Sequence, residues 1–125
     1  AGNGGSCSDC EHFVGELQCT FKKRNRKPFS AISLPSLPAA VTAWSNDFGF
    51  KTFFKRQVEA HGKNGDILFL ISTGGGNEKS GASTSLVEAA IEAKKRICIQ
   101  LFYLFFITEL PLTQLLRQLF AHLLL

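Results

Sequence analysis

The sequence predicts an α/β fold, a three-layer sandwich with a central parallel sheet and helices on both faces. Segments with helical spacing of apolar residues alternate along the chain with short apolar runs, as in sheets joined by crossover helices. The run at residues 67–71 lies between Gly65-Asp66 and Ser72-Thr73-Gly74, the flanks expected of a buried central strand. Glycine-rich turns at residues 2–5 and 74–76 each precede a helical segment. Ligands of such folds bind at the carboxyl ends of the strands.

The individual elements follow from local patterns. In the amino-terminal half we expect a helix, a basic loop, a short strand and two more helices, at residues 6–19, 22–27, 31–34, 38–45 and 48–61. The last of these helices has one stripe of residues on a common face, formed by Phe53, Phe54, Gln57, Val58 and His61. In the carboxyl-terminal half we expect strand 67–71, helix 83–95, strand 97–102 and an amphipathic helix from Pro111.

Composition favours a single packed domain over residues 1–125, because 45% of the residues are hydrophobic. Residues 1–12 lack the charged and apolar regions of a signal peptide, so we expect a cytoplasmic protein. The apolar stretch at residues 97–107 is shorter than the roughly 20 residues that a membrane-spanning helix needs. Glu109 and Arg117 interrupt any longer span. No membrane association is therefore expected.

The net charge of +4 comes mostly from two basic runs, at residues 22–27 and 94–96. Such runs can bind nucleic acid. Aromatic residues are sparse among them, and a polyanionic substrate or a solvated surface explains the charge equally well. We expect no nucleic-acid partner.

The first sixteen residues combine a phosphate-sized turn with a helix that carries two candidate metal ligands. Glycines in the segment Gly2-Asn3-Gly4-Gly5 allow close approach to an anion, and Ser6 is expected to cap the helix and bind a phosphate oxygen. His12 and Glu16, four residues apart, should share one helical face. That spacing suits two ligands of one metal, or a base beside its partner.

The cysteines suggest an alternative zinc site. Cys7, Cys10 and His12, followed by Cys19, have the ligand types and first spacing of such sites. Cys7 and Cys10 fall in the first turns of the predicted helix, however, whereas structural zinc ligands usually converge from a loop. We therefore favour small packed helix residues, and we expect no disulfides in a cytoplasmic chain.

A second polar turn follows the strand at residues 67–71. Ser72 and Thr73 lead into glycines and then into a predicted helix, a position where hydroxyls and free amides can hold a phosphate. A flexible glycine-rich loop is the alternative. A further hydroxyl could come from Ser80, Ser83 or Ser85, and the sequence does not decide between them.

Several blocks in this order resemble the phosphoheptose isomerases, members of the sugar isomerase (SIS) family with a flavodoxin-like fold. The blocks are Gly2–Ser6 with Asp9, His12-Phe13 and Glu16-Leu17; residues 28–34; Thr42–Phe50; Arg56–Ala60; Gly62–Leu68; and Ile71–Thr73. Family members have helices and a first strand before the glycine-rich turn. Since the chain also contains no Met, the resemblance implies a domain that is incomplete at its amino terminus.

The resemblance implies conversion of sedoheptulose 7-phosphate to D-glycero-D-manno-heptose 7-phosphate through an enediol, a step toward the heptose of lipopolysaccharide. Glu16 would be the base and His122 the acid. Zinc would be bound by His12, Glu16, Gln114 and His122. Substrate would contact Asn3, Gly4, Ser6, Asp47, Ser72, Thr73 and Gln114. A homotetramer with sites between subunits is also implied.

The chain departs from the family pattern at several positions. Gly74 replaces a hydroxyl, Leu115 and Arg117 replace a Glu and a His of the last helix, and a Thr-Gly loop is missing after residue 100. Gln114 and His122 keep the family's separation of eight residues, although another register would align His122 with the replaced His. The departures leave a second hypothesis, a non-catalytic sugar-phosphate-binding or replication-initiator-associated module of the same fold.

Overall fold

A computed structural model describes residues 1–19, 25–76, 79–96 and 99–104. The elements in chain order are α1 (Gly5–Gln18), α2 (Pro38–Phe48), a 3-10 turn (Phe50–Thr52), α3 (Phe53–His61), β1 (Ile67–Ser72), α4 (Thr84–Lys95) and β2 (Ile99–Leu104). The helix predicted from Pro111, which carries Gln114 and His122, lies outside the described residues. In the described part of the chain, no helix is both long enough and apolar enough to cross a membrane.

Strand β1 lies in the middle of the sheet. Strand β2 pairs with it in parallel, in a register that runs from Ile67 opposite Ile99 to Ser72 opposite Leu104. On the other edge of β1, the Ala1 nitrogen donates a hydrogen bond to the Phe69 carbonyl (2.6 Å), and the Ile71 amide donates one to the Ala1 carbonyl (2.9 Å). Residues 1–2 therefore occupy a strand position beside β1, and Gly2 bridges Ile71 in parallel.

Helices cover both faces of β1, as the three-layer prediction requires. Because side chains alternate along a strand, Phe69 and Leu70 point to opposite faces. The Phe69 ring packs on the Phe13 ring of α1 with their centroids 4.8 Å apart. Leu70 belongs instead to the core shared with α3 and α4. The predicted parallel α/β sandwich is confirmed.

The main core lies where α3 and α4 pack together beside β1. Large side chains from α3 fill it, and α4 contributes small ones that let the two helices approach closely. Its buried members include Phe53, Phe54, Val58, Leu70, Leu86, Ala89 and Ala93. The stripe predicted for residues 48–61 is thus partly right, because Phe53, Phe54 and Val58 are buried while His61 is exposed.

α2 continues three residues beyond its predicted end, and β2 ends at Leu104 rather than at residue 102. Two further predictions were wrong. Residues 31–34 form no strand. The Gln18 side chain donates a hydrogen bond to the Ala31 carbonyl (2.7 Å), which attaches this segment to the end of α1. The single helix predicted at 48–61 is interrupted, because Gly49 has a positive φ of 84° and ends α2 there.

Candidate functional site

The predicted site lies where β1 and the strand-like residues 1–2 end and the helices α1 and α4 begin. Ser72 is the last residue of β1, and Asn3 follows the paired segment on the neighbouring edge. The Asn3 side-chain amide donates a hydrogen bond to the Ser85 hydroxyl in the first turn of α4 (3.3 Å). The two polar turns that the sequence singled out are therefore adjacent.

Ser72 is the centre of this cluster. Its hydroxyl, which is nearly buried, accepts a hydrogen bond from the Gly75 amide (3.1 Å) and lies 3.5 Å from the Ser83 hydroxyl. Ser83 precedes α4 in a left-handed conformation, with φ of 52°, which non-glycine residues adopt uncommonly. We call Asn3, Ser72, Ser83 and Ser85 the cradle.

The contacts of Ser72 and Asn3 favour two of the three serines that could supply the further hydroxyl. Ser83 lies against Ser72 and Ser85 against Asn3, whereas the Ser80 hydroxyl accepts a hydrogen bond from the Ala82 amide. The sequence offered Ser83 and Ser85 only as two of three candidates for the further hydroxyl. Their position at the start of a predicted helix was the available signal.

Glycines make the close contacts of the cradle possible. A Cβ on Gly2 would lie 2.5 Å from the carbonyl oxygen of Ser6, in the first turn of α1. A Cβ on Gly76 would lie 2.7 Å from a Val87 methyl group of α4, and Gly76 also has a φ of +79°. In both turns, only glycine lets the strand end approach the following helix so closely.

Ser6 does not cap α1, contrary to the prediction. The N-cap residue is the exposed Gly4, with φ of 55°, and no side chain caps the helix. Ser6 lies one residue inside α1, and its amide donates a hydrogen bond to the Asn3 carbonyl (3.1 Å). The turn closes through backbone bonds, so the Ser6 hydroxyl is not needed to start the helix.

Asn3 has one atom without a partner. Its Oδ1 is buried and accepts no hydrogen bond from the described residues. Buried polar atoms are nearly always hydrogen-bonded, and an amide oxygen can accept two bonds. This acceptor suits a hydroxyl donor from a ligand.

His12 and Glu16 share one face of α1, as predicted. His12 Nε2 lies 3.5 Å from Glu16 Oε1, with the histidine side chain 62% exposed and the carboxylate 28% exposed. The pair can act as two metal ligands or as a base beside its partner. The other two predicted ligands, Gln114 and His122, are outside the described residues. Within the described ranges, no group of three or more His, Cys, Asp or Glu side chains converges on a metal position.

Thr73 and Asp47 occupy exposed positions. Thr73 directly follows β1, next to Ser72. Asp47 is in the last turn of α2, and its carboxylate accepts a hydrogen bond from the Asn46 side chain (2.8 Å). Asp47 is thus presented from a different element than the cradle.

The cysteines do not favour a zinc site of their own. Cys7 and Cys10 lie in the first turns of α1, as predicted, and Cys7, Cys10 and Cys19 are free thiols. Burial raises the pKa of the Cys10 thiol, and burial followed by the nearby Glu11 carboxylate raises the pKa of Cys7. In the described part of the chain, these thiols and His12 do not converge on one metal position.

A pocket of about 310 Å³ opens beside the glycine-rich turn. Its lining includes Gly2, Asn3 and Gly4 of the turn and apolar residues such as Pro35 and Phe54. Its volume is at the lower end of the range for small-molecule sites. A ligand held by Asn3 would therefore have an apolar wall beside it.

The chain is similar to known isomerases over most of its length. Residues 1–99 match the family model described as SIS domain. A phosphoheptose isomerase of Streptomyces coelicolor is 45% identical over 94 residues, which are 75% of this chain and 38% of that protein. The corresponding protein of Crocosphaera subtropica is 46% identical over 93 residues, which are 74% of this chain and 44% of that protein.

Solved structures agree with the sequence matches. A phosphoheptose isomerase from Francisella tularensis superposes with a TM-score of 0.73 at 33% identity, covering 82% of this chain and 50% of that one. One from Neisseria gonorrhoeae gives a TM-score of 0.69 at 34% identity, covering 82% and 48%. The chain thus spans half or less of the length of these four proteins.

Proposed function

This chain belongs to the SIS domain family, and we propose that it supplies the phosphate cradle and the catalytic carboxylate of a sugar-phosphate isomerase. The proposed reaction converts sedoheptulose 7-phosphate to D-glycero-D-manno-heptose 7-phosphate. The observation that carries the proposal is that the side chains of Asn3 and Ser72 contact serines at the start of α4. The His12–Glu16 pair lies on α1, the helix that begins beside this cradle. The names of the relatives support the substrate.

The cradle suits a phosphate group. Ser72 and Ser83 provide clustered hydroxyls, and exposed Thr73 can add one from the loop. α4 begins at Thr84, so the positive end of its dipole and its first amides lie beside these hydroxyls. An anion at this point is stabilised by hydrogen bonds and by the dipole. On this proposal Asn3 Oδ1 accepts a bond from a sugar hydroxyl.

Isomerisation then needs one proton to move between two carbons. Glu16 removes a proton from C1 of the open-chain ketose, which gives the enediol, and returns it to C2. The hydroxyl proton at O1 is lost and O2 gains one, so the carbonyl moves from C2 to C1. Glu16 is about one quarter exposed, which keeps its carboxylate partly desolvated. His122 is proposed as the acid that protonates or polarises the carbonyl oxygen.

Zinc is proposed as the cofactor, bound by His12, Glu16, Gln114 and His122. The residues at hand fit this, because a histidine nitrogen and a carboxylate oxygen 3.5 Å apart on one helix face match two zinc ligands. Bound zinc would act as a Lewis acid that polarises the sugar oxygens. Ligation would weaken Glu16 as a base, so the two roles of Glu16 compete.

We also propose a homotetramer with sites between subunits, as the resemblance to the phosphoheptose isomerases implies. In such an assembly Glu16 of one copy acts on a phosphate held by the cradle of another. Ser6 and Glu16 are ten residues apart, about 15 Å along the axis of α1, so Glu16 lies nearly three turns beyond the glycine-rich turn.

Exposed apolar side chains are consistent with such an assembly. Leu37, Phe48 and Phe50, which lie at or next to the ends of α2, are 59%, 66% and 40% exposed. For the complete protein we further propose a cytoplasmic location and a role in making heptose for lipopolysaccharide.

The test measures whether a carbon-bound hydrogen of the sugar exchanges with solvent during the reaction. The protein is incubated with sedoheptulose 7-phosphate in D₂O, and products are observed by NMR. We expect the aldose heptose phosphate to form with solvent deuterium at C2, because a base exchanges its proton with solvent during the enediol stage. Binding of the sugar phosphate without conversion or exchange would refute the isomerase and would favour the non-catalytic binding module.

A further inference from the structure

The guanidinium of Arg26 binds the carboxyl end of α1. Arg26 Nη2 donates hydrogen bonds to the carbonyls of Glu16 (2.7 Å) and Leu17 (2.9 Å). Its Nη1 donates one to the Lys27 carbonyl (2.9 Å). Arg26 thus contacts the backbone of the residue proposed as the catalytic base.

α1 has a particular need for such a group. The last carbonyls of a helix lack partners within the helix and form the negative end of its dipole. The last turn of α1 contains no basic residue. Arg26, from the following loop, supplies both donors and positive charge to this helix end. A guanidinium is suited to this, because its planar fork can reach two acceptors.

The loop around Arg26 is itself fastened to α1. The Arg26 guanidinium lies 5.0 Å from the centroid of the Phe29 ring, and the Phe29 amide donates a hydrogen bond to the Leu17 carbonyl (3.1 Å). The Gln18 side chain binds the Ala31 carbonyl. The end of α1 and the loop at 26–31 therefore hold each other in place, with Arg26 between them.

We propose that Arg26 is a positioning residue for the Glu16 carboxylate. This rests on the proposed function. Arg26 fixes the main chain at Glu16, and so determines where that carboxylate is presented. Catalytic groups must be held within a fraction of an ångström, and a shift of about 1 Å can lower turnover about 100-fold. Without Arg26 the last turn of α1 can fray, while the cradle at the other end of the helix is unaffected.

The test compares three variants of the full chain: Arg26→Ala, Arg26→Lys and Lys27→Ala. Lys27 is the matched control, because it is an exposed cation on the same loop whose carbonyl accepts a hydrogen bond from Arg26. kcat is expressed per binding site, with sites counted by calorimetric titration with the polyol phosphate that lacks the carbonyl. Counting sites removes any effect of an unfolded fraction.

For Arg26→Ala we expect kcat per site to fall about 10- to 100-fold, with KM within about 3-fold of wild type. Arg26→Lys should recover part of the loss, because an ammonium keeps the charge but loses the fork. Lys27→Ala should match the wild type. Wild-type kcat per site in Arg26→Ala, from an active parent, would overturn the role of Arg26 alone. An inactive parent would overturn the proposed function and this role with it.

Discussion

Glu16 carries the largest chemical role of any residue in this account. It is close to His12, and its backbone is held by Arg26. Its carboxylate is next to His12 and its carbonyl is bound by Arg26, as suits a base that must act at a fixed position. The same carboxylate is a proposed zinc ligand, so removing its charge tests both roles.

Replacement of Glu16 by Gln should abolish isomerisation. The amide keeps the shape of the side chain and loses the basic oxygen, so turnover should fall about 10²- to 10⁴-fold, with sugar-phosphate binding within a few-fold. Glu11→Gln is the control, because Glu11 is an exposed carboxylate on the same helix and accepts a long hydrogen bond from the Ser36 hydroxyl (3.4 Å). Turnover and binding are measured separately. Unchanged turnover in Glu16→Gln would disprove its assignment as the base.

Some site residues were predictable from the sequence and others were not. The spacing of His12 and Glu16 determined that they share a helix face, because helical geometry depends only on local sequence. The partners of Ser72 and Asn3 depend on how the loop after β1 returns to α4, which no local pattern encodes. Ser83 and Ser85 were therefore only candidates until their contacts were known.

At the scale of elements, α1 links the separate parts of the site. It begins at Gly4 in the glycine-rich turn, presents His12 and Glu16 along its length, and ends on Arg26. Its packing on the sheet through Phe13 fixes its direction relative to β1. Because His12 and Glu16 both lie on one face of α1, the helix and not a loop sets the positions of these two proposed metal ligands.

We expect the protein to bind about one zinc per site, and His12→Ala to lose it. Removing a ligand from a tetrahedral site leaves too few donors to retain the metal. His61→Ala is the control, since His61 is an exposed histidine at the end of α3. Metal content of the purified variants decides the matter without an activity assay. Zinc retained in His12→Ala would refute this ligand set, and the same analysis of His122→Ala tests the carboxyl-terminal ligand.

Element prediction succeeded where the pattern was local. α1 and β1 were predicted to within one residue at each end. The helix predicted at 48–61 was wrong because Gly49, which has a positive φ, ends α2 and precedes a 3-10 turn. The prediction followed the apolar periodicity and overlooked this glycine. The strand expected at 31–34 did not form, and its segment is attached to α1 by the Gln18 side chain, a contact between residues 13 apart that a local pattern does not show.

At the scale of the molecule, the cradle and the carboxylate are at opposite ends of one helix. Ser6 and Glu16 are about 15 Å apart along α1. In the proposed homotetramer, each active site combines the cradle of one copy with Glu16 of another. Gln114 and His122 stay predictions, because they lie outside the described residues. The fold was predictable as a whole because alternating strands and helices leave few other architectures.

The most direct test of this account mixes two inactive variants. Glu16→Gln loses the base, and Ser72→Ala with Thr73→Val weakens the cradle, since each hydrogen bond to a charged group contributes roughly 1.5–3 kcal/mol. The two proteins are co-expressed and assayed at a substrate concentration well below KM. We expect activity to return, up to about a quarter of wild type, because random assortment creates sites with both halves intact. No recovery from mixed assemblies would place the cradle and Glu16 of each site in the same chain, and would contradict the account.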